Sequence, residues 1–123
     1  MPLDNPVLFL ATTDAQRSRA FYEKIVRLTF VSEDAFAVVF KVGKLSLRIQ
    51  KVAAKPEVGH TVLGWKVTDI DAEVQRLAKN GVEFSFYEGL DQEKNGVWHA
   101  PSGAKVAWFT DPDKNILSLT EFR

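Results

Sequence analysis

Apolar residues in this chain fall into short blocks whose spacing changes from continuous to helical to alternating. Val7-Leu8-Phe9-Leu10-Ala11 is an unbroken apolar run between Asn5-Pro6 and Thr12-Thr13-Asp14, which predicts a strand covered on both faces. Asp14 reads as an N-cap, because its carboxylate can accept hydrogen bonds from the first free N–H groups of a helix. Phe21, Ile25 and Leu28 then recur at i, i+4 and i+7, the apolar stripe of a helix. Three strands are predicted next, over residues 29–31, 36–42 and 45–52, with Gly43 at a turn. In the last of them Leu45, Leu47 and Ile49 alternate with Ser46, Arg48 and Gln50. Residues 53–59, with Lys55-Pro56-Glu57 at their centre, read as a linker.

The same order then returns. Residues 60–67 predict a strand and Thr68-Asp69 a capped helix start. Ile70, Val74 and Leu77 carry the helical stripe, and Gly81 stands where a C-terminal cap belongs. Strands are expected over 82–87, 97–100, 104–109 and 115–122, with a polar loop over 89–95 and a turn at Asp111-Pro112-Asp113-Lys114-Asn115. Val7 to Asp14 maps onto Val62 to Asp69 at an offset of 55, and Leu45-Ser46-Leu47 onto Leu117-Ser118-Leu119 at an offset of 72. The larger offset places an insertion of about seventeen residues in the second half. The expected fold is α+β, a βαβββ unit repeated. Residues 1–123 form a single domain, with module one at about 5–52, the linker at 53–59 and module two at about 60–123. Each unit needs a partner to cover its open face.

Composition narrows the chemistry. Sixteen basic residues balance sixteen acidic ones, so the chain has no electrostatic footprint for a nucleic-acid backbone or an anionic membrane. At 46% hydrophobic residues it can build a core. No apolar run is long enough to span a bilayer, and the first residues lack the pattern of a signal peptide. A cytoplasmic location is expected. The absence of cysteine removes disulfides, thiolate metal sites and a cysteine nucleophile. His60 and His99 are the only histidines, too few for a three-histidine zinc site in one chain. The neutral total hides an asymmetry. Residues 1–55 hold nine basic and five acidic groups, and residues 56–123 hold seven and eleven. Halves of +4 and −4 would favour opposite halves meeting at a dimer seam, unless these charges merely solvate separate faces. There is no phosphate-binding glycine loop, no nucleophile elbow and no spacing that argues for a catalytic triad.

Three motifs carry a family resemblance. Asp14-Ala15-Gln16-Arg17-Ser18-Arg19-Ala20-Phe21-Tyr22 follows the first strand, Trp65-Lys66-Val67-Thr68-Asp69-Ile70-Asp71-Ala72 forms a strand-to-helix junction, and Phe109-Thr110-Asp111-Pro112-Asp113-Lys114-Asn115 forms a turn. In this order, within a repeat, they resemble the vicinal oxygen chelate superfamily, the glyoxalase/bleomycin resistance/dioxygenase fold. The resemblance implies paired βαβββ modules in a mixed sheet curved around a cavity, helices on the outer face, and completion in a homodimer. The metalloenzymes of that superfamily place one ligand on the first and last strand of each module. Carried over individually, these positions are Val7, Ser46, Val62 and Ser118. Valine has no lone pair and a neutral serine is a poor ligand beside imidazole or carboxylate, so neither the usual metal nor any other cofactor is expected. The chain also departs from the family pattern at Lys114, where a glycine is usual, and before Phe30, where a glycine is often found.

Strand alternation puts Val7, Phe9 and Ala11 on the cavity side, with Lys44, Ser46, Arg48 and Gln50. His60, Val62, Gly64 and Lys66 share that side, as do Ile116, Ser118 and Thr120. A bulge in any strand would invert its assignment. The expected cavity is small and apolar, with Arg48 and His60 as polar groups for one anionic or carbonyl end of a small organic ligand. Arg48 and His60 also suit ordinary strand-edge positions. Phe36, Tyr87, Trp98 and Trp108 could wall a planar ligand by stacking, or could be core. Trp65 and Phe109 are expected to face the helices. A rival metal set of His60, His99 and Glu121 has suitable residue types, but alternation turns Glu121 away. The run Asp91-Gln92-Glu93-Lys94 is a solvated loop or an acidic lid favouring a cation. The expected function is reversible capture of a small organic molecule, such as an antibiotic or aromatic metabolite. The alternatives are a lyase, isomerase or dioxygenase relative with an unorthodox site, and a regulatory or structural dimer with a vestigial cavity.

Overall fold

The computed structural model describes residues 3–123 and divides into two compact units, one ending at Glu57 and the other spanning Val58–Arg123. Each unit is a four-stranded mixed sheet with a helical segment. The first contains β1 (Val7–Thr12), α1 (Ala15–Ala20), β2 (Thr29–Glu33), β3 (Ala37–Val42) and β4 (Leu45–Lys51). Its strand order is β1-β4-β3-β2, with β1 parallel to β4 and the other pairs antiparallel. The second contains β5 (Thr61–Lys66), α2 (Ile70–Lys79), β6 (Trp98–His99), β7 (Lys105–Thr110) and β8 (Ile116–Glu121). Its order, β5-β8-β7-β6, repeats the first.

Apolar alternation decides which face of each sheet is covered. In the first unit Leu47 and Ile49 of β4 are fully buried with Val38 and Phe40 of β3, and Tyr22 packs against Phe40 with ring centroids 6.1 Å apart. In the second, Leu117, Ala107 and Phe109 are buried with Ile70, Val74 and Leu77 of α2. Trp65 pairs with Leu119 and so shares this helix-covered face.

Matching carboxylates start the two helices. Asp14 Oδ1 accepts from Arg17 N at 3.1 Å and Asp69 Oδ1 from Ala72 N at 3.1 Å. Glu121 Oε1 adds a bond from Ile70 N at 3.0 Å, so this carboxylate serves the helix start. Both helices end through a left-handed residue, Arg27 (φ 70°) and Gly81 (φ 92°). From cap to left-handed residue is thirteen positions in the first unit and twelve in the second. The extra residue is absorbed by a π-helical turn over Phe21–Ile25, the usual consequence of a one-residue insertion in an α-helix.

Two sequence expectations need correction. The strand expected over 82–87 is a single bridge, Phe84 to Phe109. Ser85 N still donates to Trp108 O at 2.8 Å, but Gln92 then takes the backbone that a strand would have paired. Its Oε1 accepts from Tyr87 N at 2.7 Å, and its Nε2 donates to Ser85 O at 2.9 Å and Gly96 O at 2.8 Å. The strand expected to start at His60 starts at Thr61, and its register shifts between Thr61 and Leu63. Val62 falls in that bulge, without a ladder partner, and His60 stands exposed in a bend ahead of the strand.

The 111–115 turn explains its own residue types. Asp111, nearly buried, accepts from Asp113 N and Asn115 N at 2.9 Å each, and from Asn115 Nδ2 at 2.7 Å. Lys114 takes φ 64°, a left-handed conformation that glycine adopts with less strain.

Candidate functional site

The open face of the second sheet gathers three of the candidate aromatics. Trp108 pairs with Ser118 and Trp98 with Val106, which itself pairs with Thr120. These side chains therefore leave the sheet on the side away from α2. The indoles of Trp98 and Trp108 lie 6.0 Å apart at 34°, and the Tyr87 ring stands at 90° to Trp108 at 5.3 Å. None of the three is fully buried, and Tyr87 is 37% exposed. A tilted pair of indoles with a third ring set edge-on presents aromatic surface to which a flat molecule can stack.

Beside the aromatics the face drops to small residues. Gly64 pairs with Ser118, and a β-carbon at Gly64 would collide with Ser118 Oγ. The absent side chain lets the Ser118 hydroxyl lie against the Gly64 backbone, in the strand position next to Trp108. A glycine in a strand interior commonly marks such a close approach, a signal that sequence reasoning passed over. The segment carrying Tyr87 is fixed rather than loose. Besides the three bonds of Gln92, Val97 N donates to Asn95 Oδ1 at 3.0 Å and Asn95 Nδ2 to Asp71 Oδ1 at 3.1 Å. The 91–94 run is thus a tied loop, whose Glu93 lies 3.3 Å from His99 Nε2.

The first sheet's open face carries a different set of residues. Phe9 pairs with Arg48, Val7 with Ser46, and Arg48 in turn with Val39. Phe9 is 53% exposed and Val7 46%. Apolar surface, a hydroxyl and a guanidinium are thereby presented together. Phe36, at 75% exposure, stands just ahead of β3. Its N–H donates to Asp34 Oδ1 at 2.8 Å, as does that of Ala37 at 3.0 Å. The backbone bond from Phe36, then that from Ala37, holds the Asp34 carboxyl below its ordinary value of 3.8.

The rival metal set does not assemble. Glu121 is committed to Ile70 N and to Lys105 at 3.9 Å, and His99 faces Glu93. Among the described residues no three His, Cys, Asp or Glu side chains cluster in a way that could hold a metal ion. At the four positions implied by the family resemblance stand two valines and two serines, and Val62 is in a bulge. That donor set does not fit a divalent metal. A hollow of about 430 Å³ borders Leu3, Asp4, Asn5 and Pro6. Among the described residues its lining is this one continuous stretch of chain. No helix among the described residues is long and apolar enough to cross a membrane.

Comparison with known proteins agrees with this architecture. A family profile described as Glyoxalase/Bleomycin resistance protein/Dioxygenase superfamily matches residues 5–119. A protein assigned to the glyoxalase family of Bacillus anthracis is similar in structure, with 18% identity, a TM-score of 0.79, and coverage of 100% of this chain and 98% of that one. Lactoylglutathione lyase from Agrobacterium tumefaciens shows 16% identity, a TM-score of 0.75 and coverage of 98% and 95%. A bleomycin resistance determinant encoded on the transposon Tn5 shows 18% identity, a TM-score of 0.74 and coverage of 98% of each chain. At such identities the likeness concerns the fold, which is shared by proteins of different function. No curated protein matches the sequence.

Proposed function

We propose that this chain, which belongs to the Glyoxalase/Bleomycin resistance protein/Dioxygenase superfamily, is a binding protein that captures a small planar organic molecule without a metal. The observation that carries this reading is the convergence of Tyr87, Trp98 and Trp108 beside the small residues Gly64 and Ser118. Stacking on preformed rings needs no nucleophile and no proton transfer. His99 does not stand beside Ser118, because it pairs with Lys105 on the helix side of the sheet. The unsuitable donors at Val7, Ser46, Val62 and Ser118 support the same reading.

Phe9, Ser46 and Arg48 are proposed as a second binding surface, on the first unit, where the guanidinium could grip a carboxylate or carbonyl. Phe36 and His60, exposed and outside the strands, are proposed only as rim positions. A homodimer in the cytoplasm is the proposed setting.

Calorimetry with a panel of flat fused-ring compounds tests the proposal. Saturable binding should survive exhaustive EDTA treatment and weaken about tenfold in Trp98→Ala, the loss expected for one aromatic contact. Binding that disappears with EDTA, or a stoichiometric Ni²⁺ or Mn²⁺ site lost in His60→Ala, would refute it in favour of an enzyme with an unorthodox metal site.

A further inference from the structure

Among the strand positions on the open face of the second sheet, the one charged residue is basic. The register gives that face Lys66, which pairs with Thr120, and the row continues through Val106 to Trp98. Among the strand positions on this side there is no carboxylate, since the acid of β8, Glu121, pairs with Lys105 on the helix side. Lys66 is exposed, and no ion pair engages it among the described residues. The second unit carries more acid than base overall, so strand positions with a cation and no acid run against the unit's own bias.

The first unit's open face shows the same selection on its own strands. Lys41 pairs with Ser46 and Arg48 with Val39, and no acid occupies the β1, β3 or β4 positions on that side. In β3 and β4 every charged residue on the open side is basic.

We infer that the ligand of the Tyr87–Trp98–Trp108 face is an anion, specifically a planar aromatic carboxylate whose rings meet the indoles and whose carboxylate meets Lys66. This rests on the capture reading above and names its ligand class. Lys66 and Trp98 stand at opposite ends of one row, three strand spacings or about 14 Å apart between Cα atoms. Once both side chains extend over the face, that span suits a fused two-ring system with an acid at one end. Thr120 stands next to Lys66 in this row and Ser118 in the neighbouring one, so their hydroxyls are within the face that a carboxylate would meet.

Three isosteric probes test the inference by calorimetry at low ionic strength: 2-naphthoate, 2-naphthamide and 2-naphthylmethylammonium. The acid should bind about fivefold more tightly than the amide, the size of effect expected for one exposed charge contact, and the ammonium should bind least. Lys66→Gln should bring acid and amide together while leaving the amide's affinity in place. Lys66→Arg should restore the preference, and high salt should shrink it. Equal binding of acid and amide by the unaltered chain, or a preference that survives Lys66→Gln, would overturn the anion assignment and leave planar capture standing. Failure of all three probes to bind would overturn both.

Discussion

At Asp34 a single exposed carboxylate organises the entry to a strand. Its Oδ1 takes the N–H groups of Phe36 and Ala37, and both bonds favour the charged form, which lowers the pKa. A group whose pKa is lower in the folded than in the unfolded chain stabilises the fold above its unfolded value. That contribution disappears as the pH falls through the folded value. Asp34→Ala should therefore lower the melting temperature by a constant amount between pH 5 and 8, and the gap should close as the pH drops below the ordinary 3.8. Thermal melts of both proteins across that range check it. A gap that persists undiminished in strong acid, or widens there, would contradict the account.

Residue-scale features were unevenly legible. Asp14 and Asp69 could be identified as caps from the sequence because capping is local chemistry. Glu121 could be turned away from the open face because alternation is strict along a regular strand. His60 could not be placed, since the Thr61–Leu63 register shift interrupts the alternation on which its assignment depended. Gly64 carried a readable signal that only the pairing with Ser118 makes specific.

Among the elements, the segment after α2 shows a side chain substituting for a strand. Gln92 supplies one acceptor and two donor bonds to the backbone at Tyr87, Ser85 and Gly96. Periodicity reads the apolar 82–87 stretch as a strand, but it cannot reveal that an amide ten residues later will occupy the ladder's hydrogen bonds. The consequence is functional, because Tyr87 owes its place beside Trp108 to this clamp. Gln92→Ala should cost about 2 kcal/mol in urea unfolding, as several partly buried bonds are lost together. Amide exchange should quicken at Tyr87 in particular. Unchanged stability and exchange would show that the loop is held by other contacts. The π-helical turn was illegible for a comparable reason: one extra residue between a cap and a left-handed residue leaves no mark on an apolar stripe that still closes.

For the whole molecule, the repeat was the most legible feature. The two offsets, 55 and 72, locate corresponding strands in both units and the insertion between them, and the strand orders β1-β4-β3-β2 and β5-β8-β7-β6 share one topology. The aromatic cluster was legible only as a set of candidates. Trp98 and Trp108 lie ten positions apart, and their meeting depends on the β6–β7 register. Family membership agrees with the fold and leaves the chemistry to the site.

The central claim is that a flat ligand stacks on the open-face indoles. Trp65, on the helix-covered side of the same sheet, supplies a built-in control for a fluorescence titration with 2-naphthoate excited at the tryptophan red edge. Saturable quenching should persist in Trp65→Phe, weaken in each of Trp98→Ala and Trp108→Ala, and be lost when both are replaced. Quenching that disappears with Trp65 and survives loss of the other two would contradict the account.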